Sequence, residues 1–150
     1  MPVSTNSQLL LAGYEAWNRD DCDAWLELLH PDVEIRTSGV FPDLAPDYRG
    51  HGRAAKFWRQ MHEPWEVFRI DVEHVEEESD CAVAAIRFRA RGADSGVEVD
   101  MRFGMAMRVR DGLAIELVNR RTFDEARATV RPRGPAEPAR TRRAGLPGFG

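Results

Sequence analysis

The sequence predicts an α+β domain: three helices first, then a long, mainly antiparallel sheet. Three observations predict it. Apolar residues recur at helical spacing through the first part of the chain. From Glu66 the apolar period changes to two and holds almost to the end of the patterned region. The strands so defined share one apolar face, which a sheet can hide only by curling around the helices. A curled sheet with helices across its mouth leaves a conical pocket.

Each element has its own signal. Leu10, Tyr14 and Trp17 follow i, i+4, i+7 spacing and share one face of the first helix. Asn18 to Asp21 breaks that helix, and Asp21 is placed to cap the next. In the second helix Trp25, Leu28 and Leu29 form a short stripe, which Pro31 is expected to end. "VEIRT" alternates, with Val33, Ile35 and Thr37 on one side, and reads as a strand. Residues 38–51, "SGVFPDLAPDYRGH", hold two prolines and two glycines, and a loop of this length is expected to act as a lid or binding loop. The third helix gathers Ala54, Phe57, Trp58, Met61 and Trp65 on one face and is limited by Pro64.

The strands follow. "VFRIDVEH" turns Phe68, Ile70 and Val72 inward, and "AVAAIRFRA" turns Ala82, Ala84, Ile86, Phe88 and Ala90 inward with Arg87, Arg89 and Arg91 outward. "VEVDMRFGMAMRV" adds an inward row from Val99 through Met101, Phe103, Met105 and Met107 to Val109. A hairpin at "RDG" leads into the last strand. There Leu113, Ile115 and Leu117 are expected inward, followed on the same face by Asn119 and Arg121. Thr122 and Glu125 have capping-box spacing for a final helix over 123–130. The predicted domain is 1–130. Residues 131–150, rich in Pro, Gly and Arg, are expected to be a disordered tail.

Composition narrows the function classes. Apolar residues make up 43% of the chain, enough for one core. The net charge of -4 argues against general nucleic-acid binding. No apolar run is long enough to cross a bilayer, and the N-terminus lacks signal-peptide character. Cys22 and Cys81 lie far apart without metal-type spacing, which fits reduced thiols in a cytoplasm. Lys56 is the single lysine, an arginine bias that suggests a GC-rich bacterial genome. His30, His51, His62 and His74 show no metal-ligand spacing, so neither a metal nor another cofactor is expected.

The segments "GYEAWNRDDCDAWLELLHPDVEI", "YRGHGRAAKFWRQ", "SGVEV", "VRDGLAIEL" and "FDEARATV" together resemble a SnoaL-like domain of the nuclear transport factor 2-like superfamily, over residues 7–130. The resemblance implies a cone-shaped α+β barrel with the sheet wrapped around the three helices. It also implies a choice of functions, because the relatives include polyketide cyclases, epoxide hydrolases, ketosteroid isomerases, dehydratases and proteins that only bind. Relatives use carboxylates at positions that fall here on Asn119, on Phe88 beside an arginine position at Ile86, on Met105, and near Ile35. None of these four exchanges a proton near neutral pH, so the relatives' carboxylate mechanisms are not expected. The resemblance further implies a homodimer through the outer sheet face, with Val118, Ala106 and Gly104 as its less polar centre.

Asn119 and Arg121 are the first candidates for catalysis, as donors that polarise a carbonyl, enol or carboxylate; alternatively Arg121 pairs with an acid at the sheet edge. His62 is the candidate proton carrier, one step off the apolar stripe of the third helix. Tyr14 and Trp17 either face a ligand or simply pack. The same choice holds for Phe57, Met61, Phe88, Met101, Phe103 and Met105, whose methionines would suit an adaptable wall for a flat hydrophobic ligand. The expected function is a small-molecule pocket, acting as a cofactor-independent cyclase or isomerase on a hydrophobic oxygenated substrate of polyketide or steroid type. The alternative is a non-catalytic ligand-binding or structural dimeric module.

Overall fold

A computed structural model describes residues 5–41 and 43–130. The expected tail at 131–150 lies outside the described residues. In chain order the elements are α1 (Asn6–Asn18), α2 (Cys22–Glu27), β1 (Leu29–Arg36), β2 (Asp47–Arg49), α3 (Gly50–His62), β3 (Trp65–Glu78), β4 (Cys81–Gly92), β5 (Glu98–Arg110), β6 (Leu113–Arg120) and α4 (Phe123–Val130). The six strands form one sheet in the order β2-β1-β6-β5-β4-β3. The β1–β6 pair is parallel and the other pairs are antiparallel. The sheet is open, with β2 and β3 as its edges, and curves around α1 to α3 as a cone.

The helix ends follow from local chemistry. Thr5 caps α1 in a capping box with Gln8, and the Glu77 carboxylate accepts from the Ser7 N–H at 3.0 Å. At the other end Asn18 leaves the helix and ties α1 to the sheet. Its amide accepts from Ile70 N at 2.7 Å and donates to Ile70 O at 2.8 Å. Asp21 caps α2 as expected, accepting from Ala24 N at 3.1 Å. Thr122 accepts from Glu125 N at 3.1 Å and starts α4.

Four expectations about the elements need correction. Pro31 does not end α2, which stops at Glu27; Pro31 sits inside β1, where the pairing with β6 shifts register between Leu29 and Glu34. A proline cannot donate to a ladder, so the irregularity falls where it stands. The 38–51 segment is shorter as a loop than expected, because Asp47–Arg49 pairs with β1 as an edge strand and α3 begins at Gly50. Trp65 opens β3 rather than closing α3, and meets Phe88 edge-on at 6.1 Å. In β6 the alternation slips: Arg108 pairs with Glu116 and the adjacent Val109 with Ala114, so Ile115 is the bulged residue. Ala114 therefore faces the core, and the expected inward row Leu113, Ile115, Leu117 survives only from Leu117.

The main core lies between the helices and the inner sheet face. Trp17 is its centre, with Trp58 at 4.5 Å, Trp25 at 5.2 Å, Phe57 at 5.7 Å and Phe68 at 5.8 Å between ring centroids. A smaller core sits on the outer face, where α4 packs Ala126 onto Val83, Ala106 and Val118. This corrects the expected dimer surface: Gly104, Ala106 and Val118 are covered by the chain's own last helix. Arg127 holds α4 to β3 through Glu76 at 2.9 Å. Gly104 allows the close approach, because a Cβ there would meet Thr122 O at 2.4 Å and the Ala126 methyl at 2.8 Å. Gly104→Ala is therefore expected to cost about 1–3 kcal/mol in urea denaturation, as an overpacked contact does. An unchanged midpoint would mean that α4 is not seated there in solution.

Candidate functional site

A cavity opens where α1, α2, α3 and the 38–46 loop meet β5 and β6. It admits the centres of water-sized molecules over about 60 Å³, and with its mouth the atom-free space is about 620 Å³. A single water needs about 10–15 Å³ on the first measure, so a multi-atom ligand has room. Leu10, Gly13, Tyr14 and Trp17 supply the α1 wall, and Phe57 and Met61 the α3 wall. The sheet supplies Phe103, Met105 and Met107 from β5 and Ala114, Leu117 and Asn119 from β6.

Among the described residues the wall carries no Asp, Glu, His, Lys or Arg. Apart from the indole N–H groups of Trp17 and Trp25, its polar side chains are Tyr14 and Asn119. Asn119 is 5% exposed and stands directly across the ladder from Met105. Its Nδ2 makes one long contact, donating to Arg36 O at 3.5 Å, and its Oδ1 accepts from no described residue. Tyr14 is half-buried as a residue and lines the cavity, and its hydroxyl is desolvated by the surrounding protein. No described residue hydrogen-bonds it, and burial alone pushes its pKa well above the ordinary phenol value.

The residues singled out in the sequence divide clearly. Tyr14, Trp17, Phe57, Met61, Phe103, Met105 and Asn119 stand together on the cavity wall. Arg121 does not. The strand ends at Arg120, and Arg121 lies past it, exposed. The expectation that it shares the inner face with Asn119 is corrected, since an unpaired guanidinium has no reason to stay in an apolar cone. His62 is also off the wall. Its ring stacks on Trp17, Trp58 and Phe68, and both ring nitrogens face backbone carbonyls, Nδ1 to Trp58 O at 3.0 Å and Nε2 to Trp17 O at 3.1 Å. Both nitrogens are turned to these carbonyls and away from the cavity, a single ring N–H being able to donate to only one of them; His62 instead joins the ends of α1 and α3. Phe88 is buried against Phe68 and Trp65, and Met101 packs at the core's margin, both away from the cavity.

Phe41, Met107, Ala114 and Leu117 were not singled out. Alternation already placed Met107 inward. Ala114 needed the bulge at Ile115, and Phe41 needed the path of the loop, which brings it edge-on to Phe103 at 5.4 Å.

Outside the cavity, charge is organised as exposed ion pairs. Arg87–Asp100, Arg102–Glu73, Arg91–Glu66 and the short Arg89–Asp71 contact tie strands β3 to β5 together, which is the cross-strand pairing that the arginine stripe called for. Hydrogen bonds from Arg102 hold the Glu73 carboxyl below its ordinary range, and Arg87 does the same for Asp100. No group of three His, Cys, Asp or Glu among the described residues could hold a metal ion, and both cysteines are unpaired. No described helix is long and apolar enough to cross a membrane.

Comparison with known proteins accords with this architecture. No curated protein matches the sequence significantly. Among solved structures, a nuclear transport factor 2-like protein of unknown function from Burkholderia pseudomallei is 23% identical, with a TM-score of 0.71 over 87% of this chain and 100% of that one. TerC, co-crystallised with polyporic acid, is 23% identical, with a TM-score of 0.67 over 77% of this chain and 90% of that one. IdmH from Streptomyces antibioticus, a candidate polyketide cyclase, is 21% identical, with a TM-score of 0.68 over 77% of this chain and 91% of that one. At these identities the likeness is one of fold. The model of the SnoaL-like domain matches residues 10–117, most of the described chain. With this match and its three helices and curved sheet, the chain belongs to the SnoaL-like domain family.

Proposed function

We propose that this chain binds a small, hydrophobic, oxygen-bearing molecule, of polyketide or steroid type, in the cavity between α1 and the sheet. One observation carries the reading: an apolar cavity in which Tyr14 and Asn119 are enclosed with unused hydrogen-bonding capacity. A buried polar group left unpaired costs about 1–3 kcal/mol, a cost that a ligand oxygen relieves.

The same wall argues for binding over turnover. Asn119 cannot exchange a proton, and burial moves Tyr14 further from neutral pH. Chemistry here would rest on shape and on polarising a ligand oxygen. A second reading, a cofactor-independent cyclase or isomerase, is favoured by Tyr14, whose free hydroxyl is a donor that polarises a ligand carbonyl, with water entering by the mouth as the base that takes the α-proton, and accords with the candidate role of IdmH. A homodimer belongs to the proposal, with its contact on the ion-paired flank of the outer face. Sedimentation at micromolar concentration giving the one-chain mass of 17.0 kDa would remove it.

Titration of tryptophan fluorescence with naphthol tests the binding reading. Saturable quenching is expected, lost in Ala114→Trp, which fills the cavity. Quenching that never saturates and is indifferent to Ala114→Trp would overturn it. Hydrogen–deuterium exchange at the α-carbon of a tetralone separates the second reading: a rate no higher than that of buffer removes it.

A further inference from the structure

Resting on the reading that the cavity holds a ligand, we infer that this ligand is an uncharged hydroxy-carbonyl compound, its carbonyl oxygen set against Tyr14 and its hydroxyl against Asn119. The charge follows from the wall. A carboxylate or ammonium entering it would shed its hydration and meet no counter-charge. The two candidates for one that the sequence offered are turned away: Arg121 lies beyond the strand in solvent, and both ring nitrogens of His62 point at backbone carbonyls.

The two oxygen functions follow from which hydrogen-bonding capacity is left over. At Asn119 the side facing Arg36 O must be the amide nitrogen, because two carbonyl oxygens would repel. The Oδ1 is then the open end, an acceptor whose complement is an O–H donor. At Tyr14 burial keeps the phenol protonated, so its open capacity is a donor and its complement is a carbonyl oxygen. The groups stand on different walls, Tyr14 on the helix α1 and Asn119 on the strand β6. A single oxygen does not serve both roles as well as two placed apart on an apolar body. Phe41, Phe103 and Met105 on the same lining suit a flat carbon skeleton.

The test uses probes of one skeleton with the full-length chain, followed by calorimetry: hydroxytetralone, tetralone, tetrahydronaphthol, tetralin and carboxytetralone. Hydroxytetralone is expected to bind about tenfold more tightly than tetralone or tetrahydronaphthol, and carboxytetralone not detectably at neutral pH. Asn119→Leu should erase the advantage of hydroxytetralone over tetralone and leave tetralone unaffected. Tyr14→Phe should erase its advantage over tetrahydronaphthol. Asn119→Ser serves if the leucine variant does not fold. Tetralin binding as tightly as hydroxytetralone, an advantage that survives both variants, or tight binding of carboxytetralone would overturn the inference while the cavity reading stands. Failure of every neutral probe, tetralin included, to bind the folded protein would overturn the cavity reading and this inference with it.

Discussion

Asn119→Asp is expected to make the stability of the domain fall as pH rises from 4 to 8, relative to the unsubstituted chain. The position is 5% exposed, on a cavity wall without a cation. Desolvation disfavours the charged form of a carboxyl group, so its folded pKa is raised above the ~3.9 of an unfolded aspartate. Below that value both states hold the proton and the substitution is nearly silent. Above it the unfolded chain releases a proton that the folded chain keeps, and stability drops by about 1.4 kcal/mol per pH unit until the folded pKa is passed. A group held neutral to pH 7 would cost roughly 4 kcal/mol there. Urea denaturation of both proteins at several pH values measures it. A constant difference between them would mean that water or a mobile cation reaches position 119. The variant also bears on the function, since it puts a titratable group on the cavity wall.

Trp17→Ala is expected to cost about 3–5 kcal/mol, a large share of the ~5–15 kcal/mol that holds a domain together. Trp17 is 5% exposed and is the ring that four other aromatic side chains of the core share. It also stacks on His62 at 4.8 Å, and its carbonyl oxygen receives the His62 Nε2 contact at 3.1 Å. Removing the indole leaves a void beside an existing cavity, and the surrounding rings, which belong to α2, α3 and β3, cannot all close on it. Trp17→Phe should recover part of the loss. A cost under about 1 kcal/mol for the alanine variant would mean that the aromatic cluster repacks freely.

Much of the fold was legible as periodicity. Leu10 and Trp17, or Phe57 and Met61, recur at the spacing that places them on one helical face. Phe103, Met105 and Met107 alternate as a half-buried strand must. Local capping chemistry at Asp21 and Thr122 was equally readable, because a cap is formed within four residues of sequence. The seven wall residues that the sequence singled out were found in this way, since a residue facing inward on these elements faces the cone.

Irregular residues and long-range neighbours escaped. The bulge at Ile115 moves Ala114 inward, and nothing in β6 announces it, because a bulge is decided by the pairing with β5. Arg121 looked inward only while alternation was assumed to run past the strand's end. His62 looked available until the carbonyls of Trp58 and Trp17 were seen to occupy both nitrogens, the second contributed from another helix. The outer patch of Gly104, Ala106 and Val118 looked like an interface until α4 folded back over it.

What the sequence determined by itself is the class of fold and its family, both of which are properties of residue identity and spacing. What only the tertiary structure decided is which polar groups reach the cavity and which are spent elsewhere. That is a matter of partners distant in sequence: Asn119 and Tyr14 retain unused hydrogen-bonding capacity because no described residue pairs with the Asn119 Oδ1 or the Tyr14 hydroxyl, while His62 is turned to backbone carbonyls and Arg121 is left in solvent.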